Sequence, residues 1–303
     1  MGLDTNGIRL MLYAKRLGAD FSNVVTIGRQ ELFLIPEQLN HYITQFGIKL
    51  QSHFTGSDFK YSEPFFNILG AKEVDSIDYS KYENATIIHD MNQILPKDLK
   101  GKFSVVVDAG TLEHVFNFPV AIKNCMELIH TGGYYISITP ANNFMGHGFY
   151  QFSPELFFSI FTPKNGFELI KLLICEELID SQWYEVSKPK GGQEGRVQLI
   201  NNNPTYLMCI ARRLDDGCEP FKTVPNQSDY IEAWDQSKMS KNFLNSGKIL
   251  GTNLNGTVKG ILKFIPGLET LGTKLYRFCK RFFQRNFKKS FNQRDYTPFN
   301  PLR

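Results

Sequence analysis

Short β-branched segments that alternate with stretches of helical periodicity constrain the fold of this chain most. The four clearest segments are 23–28, 73–78, 85–90 and 103–108, and each ends in glycine or aspartate. Such runs are typical of strands that are buried on both faces of a parallel sheet. Because strands alternate with helices, the sequence predicts a doubly wound, mostly parallel α/β sheet with helices on both faces.

Three further strands complete a predicted sheet of seven, at 134–139, 167–175 and 204–213. The loop 188–196, rich in Gly and Lys, separates the last two strands and favours an antiparallel hairpin at the sheet edge. Apolar periodicity predicts helices over 7–17, 35–46, 62–69 and 112–128, and we expect the pair Gly132-Gly133 to end the last of them.

Acidic side chains follow the second and third predicted strands. Asp78 can accept two hydrogen bonds from a ribose diol, although strands also end in Asp for reasons of turn formation. Asp90 can accept from an exocyclic amine of adenine while Met91 packs on the ring, or it caps the turn before Gln93. Since ligands of such sheets bind at the carboxyl ends of the strands, a nucleoside site is predicted at this edge.

The order of motifs resembles that of class I S-adenosylmethionine-dependent methyltransferases over about 23–213. After Asp78 come Asp90 with Asn92, the strand 105–108, the run Thr111-Leu112-Glu113-His114-Val115 and the Gly132-Gly133 pair before a strand. The resemblance implies a last strand that is antiparallel, S-adenosylmethionine as the cofactor and a methyltransferase domain over 1–213. The cofactor site that we predict from it comprises Gly28, Arg29, Asp78, Tyr79, Asp90, Met91, Asn92, Asp108, Ala109 and Gly110.

The first loop departs from this family, which usually has a G-x-G-x-G turn after its first strand. This chain has Gly28-Arg29-Gln30-Glu31, and about 50 residues separate Gly28 from Asp78, where about 20 are usual in a nucleotide-binding βαβ unit. Either the segment 35–58 is an insertion or the first strand is misplaced. Arg29 is predicted to pair with the cofactor carboxylate, or else to face solvent.

The segment 139–156, after the fifth strand, is the densest polar and aromatic run, at a position where this family places substrate-facing groups. The predicted acceptor-binding residues are Asn142, Asn143, His147, Tyr150 and Gln151. Glycines flank His147, so we expect a mobile loop that closes over substrate. The alternative is an ordered loop whose Asn side chains satisfy its own backbone, with Ser153 capping the next helix.

Two histidines are candidates for the catalytic base. Methyl transfer from a sulfonium needs an aligned nucleophile and a dry site, and a base only where a hydroxyl proton must leave. His147 and His114 are the candidates because imidazole titrates near neutrality, although His114 also fits a structural hydrogen bond within its helix. We find no Asp-Asp-Asn metal cluster and expect no metal ion in the site.

The predicted function is O-methylation of a small-molecule, sugar or lipid-precursor acceptor. A non-catalytic protein with this fold is the alternative, since the first loop is degenerate. An NAD(P)-dependent oxidoreductase fits less well, because it should keep a G-x-G-x-x-G turn. No nucleic-acid partner is expected, because the sequence lacks an Asn-Pro-Pro-Tyr or Asp-Pro-Pro-Tyr motif.

A basic tail follows the predicted domain, with 214–258 as a linker and 259–303 as the extension. This extension has eleven Lys and Arg against two acids, although the whole chain carries a net charge of only +4. From 268 onward its apolar residues recur every three or four positions, which predicts an amphipathic helix with basic flanks. Such a helix can lie on an anionic membrane, or pack on the domain or on a second subunit.

Cysteine usage and hydropathy indicate the cellular compartment. The five cysteines are scattered and form no C-x-x-C pair, so neither disulfides nor a zinc site is predicted. No stretch reads as a membrane span or a secretion signal. We therefore expect a cytoplasmic protein, peripheral to the inner face of the membrane if the tail binds there.

Overall fold

In the computed structural model the described residues are 2–49, 60–189, 195–215, 217–231, 233–234 and 291–302. The strands are β1 (Gly2–Leu3), β2 (Asn23–Ile27), β3 (Glu31–Leu32), β4 (Glu73–Asp78), β5 (Ile87–Ile88), β6 (Phe103–Ala109), β7 (Ile129–Asn142), β8 (Phe167–Glu176), β9 (Trp183–Val186), β10 (Thr205–Arg213) and β11 (Tyr296–Phe299). The helices are α1 (Thr5–Arg16), α2 (Pro36–Gln45), α3 (Glu63–Ile68), α4 (Phe118–Leu128) and α5 (Pro154–Ile160). Short 3-10 turns occupy Lys97–Leu99, Leu112–His114 and Pro163–Asn165.

Among the described residues, nine strands form the central sheet, in the order β11-β9-β8-β10-β7-β6-β2-β4-β5. The five from β7 to β5 are parallel, and β10 lies antiparallel between β7 and β8. These strands and β8 are the seven that the sequence predicts, so the doubly wound, mostly parallel fold with an antiparallel last strand is confirmed. A separate parallel pair joins β1 to β3.

The central strands are buried on both faces. All seven residues of β6 are buried. Val105 and Val107 belong to one hydrophobic cluster, whereas Val106 belongs to the cluster on the other face. Successive side chains of a strand point to opposite faces of the sheet, and here both faces are covered. The sequence of such a strand is therefore continuously hydrophobic rather than alternating.

The predicted helix over 112–128 is wrong in its bounds. The structure has a 3-10 turn at Leu112–His114 and begins α4 at Phe118, with Pro119 in its first turn, where a missing N–H costs nothing. The Gly132-Gly133 pair lies inside β7 and does not end the helix. Instead, the buried Arg213 guanidinium donates to the carbonyls of Met126 and Ile129, where α4 gives way to β7.

The sheet extends beyond the predicted domain. Two of its strands, β9 and β11, are absent from the sequence prediction, and β11 comes from the segment assigned to the tail. Within the assigned linker, Glu219 contacts Lys123 at 2.8 Å and Asp229 pairs with Arg196. Residues on both sides of the tail helix therefore pack on the domain, while the predicted helix itself lies outside the described residues. Across the described ranges, no helix is long and apolar enough to span a membrane.

Candidate active site

A cavity of about 400 Å³ opens at the carboxyl ends of β6 and β7. Ala109 and Gly110 line it from the end of β6, and Ile138 and Pro140 from the end of β7. The remaining lining residues come from the N-terminal segment, the turn after β6, the loop after β7, the residues directly after β3 and β8, and the start of β10: Gly2, Asp4, Phe33, Glu113, His114, Phe144, His147, Glu177 and Tyr206. The cavity therefore lies where ligands bind in open α/β sheets.

Asp108 fixes the turn that carries the cavity's titratable groups. Its buried Oδ1 accepts hydrogen bonds from the backbone N–H groups of Thr111 (3.0 Å) and Leu112 (3.2 Å), and Tyr135 donates to Oδ2 (3.4 Å). Gly110 has φ +82°, a conformation that glycine adopts without strain. The chain thus turns sharply after β6 and places the next residues over the cavity.

Glu113, His114 and His147 form a cluster at the cavity wall, and one ligand atom from each lies within 4.8 Å of the others. Nε2 of His147 is 3.3 Å from Oε1 of Glu113. The two imidazole rings meet edge to face with centroids 4.9 Å apart. The Glu113 side chain is fully buried, whereas that of His147 is 49% exposed.

Burial dominates the electrostatics of this cluster. It raises the pKa of Asp108, and it raises the pKa of Glu113, which the negative charge of Asp108 raises further. Burial lowers the pKa of His114, with an added contribution from His147. Both carboxyls are therefore easier to protonate than free acids, and His114 is easier to deprotonate than a free histidine.

No family model and no curated protein matches the chain. Solved structures do match it, at low identity. An N1-methyltransferase for 1,6-didemethyltoxoflavin from Burkholderia thailandensis, with S-adenosylhomocysteine bound, is 12% identical, with a TM-score of 0.36 over 70% of this chain and 78% of that one. The N-methyltransferase NodS of Bradyrhizobium japonicum is 15% identical, with a TM-score of 0.34 over 68% and 86% of the two chains. A branched-chain polyamine synthase mutein of Thermus thermophilus is 12% identical, with a TM-score of 0.35 over 74% and 58%.

The strand order decides the fold. Numbered by position among the seven predicted strands, the sheet runs 3-2-1-4-5-7-6 with only the seventh antiparallel. The chain has the class I methyltransferase fold. Because β2 lies between β4 and β6, the first strand was correctly placed, and the segment 35–58, which contains α2, is an insertion ahead of α3.

In this methyltransferase fold the predicted ribose acid lies beside the cavity strands but does not line the cavity. Asp78 is half-buried at the end of β4, and its Oδ1 accepts from the backbone N–H of Ser80 at 3.2 Å. Tyr79 is 75% exposed. Gly28, with φ +69°, follows β2 and donates its N–H to Ile77 O at 2.7 Å. The ends of β2 and β4 thus form a surface next to the cavity, which we call the ledge.

In the loop after β2, the Arg29 side chain contacts other protein groups. Arg29 Nε lies 2.6 Å from Glu63 Oε1, and the guanidinium stacks 3.8 Å over Tyr61. It is therefore not solvent-facing, and its pairing with a cofactor carboxylate stays a prediction. The buried Gln30 side chain donates to Ile27 O at 2.6 Å and so holds the loop against the end of β2.

The residues of the predicted adenine site form hydrogen bonds and core contacts with other protein groups. Asp90 accepts from both the backbone and the side chain of Asn92, which lowers the pKa of Asp90, so the turn-capping alternative describes the structure. Met91 is 6% exposed and packs in the core rather than facing a ligand. Asn92 Oδ1 accepts from the backbone of Asn117.

Most polar side chains of the loop after β7 are hydrogen-bonded to other protein groups. Asn142 and Asn143 both donate to Asn201, and Tyr150 donates to Phe116 O at 2.6 Å. The side chain of Gln151 accepts from the backbone of Phe144. The ordered-loop alternative does not describe this arrangement, because the Asn side chains donate to another segment and, among the described contacts, Ser153 makes no side-chain cap. Of the predicted acceptor residues, His147 alone is in the described cavity lining.

Several cavity residues were missed from the sequence. Glu113 stands next to His114 in the run that carries the resemblance, so its position was a usable signal. Tyr206 donates to Glu177 at 2.6 Å, and Phe144 stacks on Tyr206 with centroids 5.2 Å apart. Asp4 reaches the cavity while capping α1 through Gly7 N–H. These residues come from distant segments, which no local pattern connects.

Proposed function

We propose that the protein is an S-adenosylmethionine-dependent methyltransferase that methylates a hydroxyl of a small-molecule, sugar or lipid-precursor acceptor. The observation that carries the proposal is the joint position of the β4 acid and the cavity at the carboxyl ends of a 3-2-1-4-5-7-6 sheet. Fold alone does not fix function, so the proposal depends on this site.

The residues present fit the cofactor in two respects. The Asp78 carboxylate is half-buried at the end of β4, in reach of a ribose diol on the ledge. Among the described residues, Oε1 of Gln30 is buried without a hydrogen-bond partner, which leaves an unused acceptor for an amine beside Gly28. Bound there, S-adenosylmethionine supplies a methyl group on a sulfonium, an electrophile that needs no covalent help from the protein.

The cavity suits a small acceptor. Its volume is at the low end of ligand sites, which span about 300–1,000 Å³. The stacked Phe144 and Tyr206 offer an aromatic wall, and His147 offers an accessible imidazole to take a hydroxyl proton. Burial lowers the pKa of a second imidazole, that of His114, beside it. A hydroxyl acceptor held between these groups would be oriented for transfer.

A screen of purified protein tests the proposal. S-adenosylhomocysteine release is measured with panels of sugar and lipid-precursor acceptors. We expect turnover with one class, and we expect His147→Ala to lower it at least tenfold while cofactor binding persists. His130→Ala is the matched control, since His130 is the second residue of β7 and lies at the opposite end of that strand from the cavity. Cofactor binding without turnover across both panels would contradict this acceptor class.

The first loop favours a second candidate, a non-catalytic protein that keeps the fold. Gln30 and Arg29 are both engaged by protein groups in the loop where the family that the sequence resembles usually has a glycine-rich turn. A protein of this kind would not bind S-adenosylmethionine, so direct binding separates the two candidates.

The tail adds a proposal about location. The basic and apolar pattern of 259–290 suits a peripheral contact with an anionic membrane, which would bring lipid-linked acceptors near the cavity. Packing of the same segment on the domain or on a second copy is the alternative.

A further inference from the structure

The cluster at the cavity wall, which includes the proposed proton acceptor His147, also forms a set of potential metal ligands. Glu113 supplies a carboxylate, and His114 and His147 supply two imidazoles. Two ligands about 2.1 Å from one ion stand at most about 4.2 Å apart. Since the three donor atoms already lie within 4.8 Å of one another, small side-chain rotations bring them to a shared ion.

The carboxylate of Glu113 lacks the partners that a buried acid needs. Its side chain is fully buried, and among the described residues neither Oε1 nor Oε2 accepts a hydrogen bond. Because an unpaired buried charge is costly, such a group is protonated, paired or bound to a metal, and a cation at this position would compensate the carboxylate. Oε1 faces Nε2 of His147 at 3.3 Å, so the unsatisfied oxygen points toward the other donors.

The backbone holds the three donors together before any ligand arrives. Phe149 N–H donates to Glu113 O at 2.7 Å, which fastens the His147 loop to the turn after β6. At Gly148, a Cβ would meet Glu113 O at 2.8 Å, so the two segments touch as closely as glycine allows. Asp108 fixes the other end of the turn through Thr111 and Leu112. Such preorganisation is what a metal site requires of its supporting residues.

We propose that Glu113, His114 and His147 bind one divalent transition-metal ion at the wall of the cavity. Two imidazoles and a carboxylate suit Zn²⁺, Co²⁺ or Fe²⁺, whereas Mg²⁺ prefers an all-oxygen set. Three protein ligands leave coordination positions open, and the cavity is the space beside them. This inference departs from our expectation of no metal, which rested on the missing Asp-Asp-Asn motif.

Titration of the full chain with Co²⁺ tests the site. Chelator-treated protein is titrated with CoCl₂, and the visible ligand-field absorption of bound Co²⁺ is recorded. We expect one ion per chain, displacement by Zn²⁺ and no displacement by an equal concentration of Mg²⁺. No S-adenosylmethionine is added, so the result is independent of the proposed methyl transfer.

Variants locate the ion. His147→Ala and His114→Ala should each weaken Co²⁺ binding at least tenfold, while His130→Ala, a histidine outside the cluster, should bind as the wild type does. Circular dichroism establishes that each variant is folded, and the exposed His147 is the safer substitution. Glu113→Gln, which keeps side-chain volume, should weaken binding as well. Absent binding, unchanged affinity in both histidine variants, or a near-ultraviolet thiolate band that indicates cysteine ligands would overturn the proposal.

Discussion

Among single residues, Asp108 has the largest structural role in the site. Its carboxylate satisfies two backbone N–H groups and the Tyr135 hydroxyl in a fully buried position. Asp108→Ala leaves these donors unpaired, at about 1–3 kcal/mol each for a buried group. We expect the free energy of unfolding to fall by about 2–5 kcal/mol in urea titrations. Asp108→Asn keeps the Oδ1 acceptor and should lose less, so equal losses in the two variants would contradict this role.

Local chemistry made some site residues predictable and hid others. Asp78 and His147 could be singled out because a strand end and a glycine-flanked loop are visible in the sequence. Asn142 and Asn143 stay predicted acceptor residues, but their protein partner, Asn201, lies 58 or more residues away and has no local signature. The contacts of Arg29 with Glu63 and Tyr61 were hidden for the same reason, since both residues follow the segment 35–58, which the sequence did not position.

At the scale of elements, the contact between the loop after β7 and the turn after β6 shapes the cavity wall. Gly148 has φ +71°, and a Cβ there would lie 2.8 Å from Glu113 O. Gly148→Ala should therefore lower the free energy of unfolding by about 2 kcal/mol or more, through backbone strain and steric overlap. Gly146→Ala is the matched control in the same loop, because no atom lies within 4 Å of its Cβ. Similar chemical denaturation midpoints for the two variants would show that the contact is not tight.

Most elements were predictable because their hydrophobic patterns are local. The strands β2, β4 and β6 match their predicted segments closely, and in β2 and β6 burial on both faces gives continuous apolar runs. The end of α4 was not predictable from Gly132-Gly133, because the Arg213 guanidinium, far along the chain, binds the carbonyls there. Pairing of β9 with β11 joins segments more than 100 residues apart and has no local signature.

At the scale of the whole molecule, β11 joins the end of the chain to the sheet edge. Tyr296 is 2% exposed and packs edge to face on Phe291, while Thr297 on the same strand is exposed. Tyr296→Ala should lower the free energy of unfolding by about 3 kcal/mol, in the range for aromatic truncation in cores. Thr297→Ala should change it by less than about 0.5 kcal/mol. Equal denaturation midpoints for the two variants would contradict the packing of Tyr296 at the sheet edge.

The membrane proposal needs a test that leaves β11 intact, because truncation near 259 would also remove it. Replacement of Lys280, Arg281, Lys288 and Lys289 by glutamine lowers the positive charge of the tail by four and leaves the sheet edge unchanged. Each cation near an anionic surface contributes about 1 kcal/mol. We expect the wild type to sediment with anionic vesicles at low salt, and the variant to sediment much less. Equal sedimentation of both proteins with anionic and neutral vesicles would contradict membrane binding.

Calorimetric titration of the full chain with S-adenosylmethionine and S-adenosylhomocysteine tests the proposed function most directly. We expect one molecule of either ligand to bind per chain, and NAD(P)H not to bind. Asp78→Ala should weaken binding by about 1–3 kcal/mol, the cost of lost charge-assisted hydrogen bonds. Asp98→Ala, an exposed acid in the turn Lys97–Leu99, should leave the affinity unchanged. Absence of binding by the wild type would contradict the account and favour the non-catalytic alternative, and equal affinity in the two variants would remove Asp78 from the site.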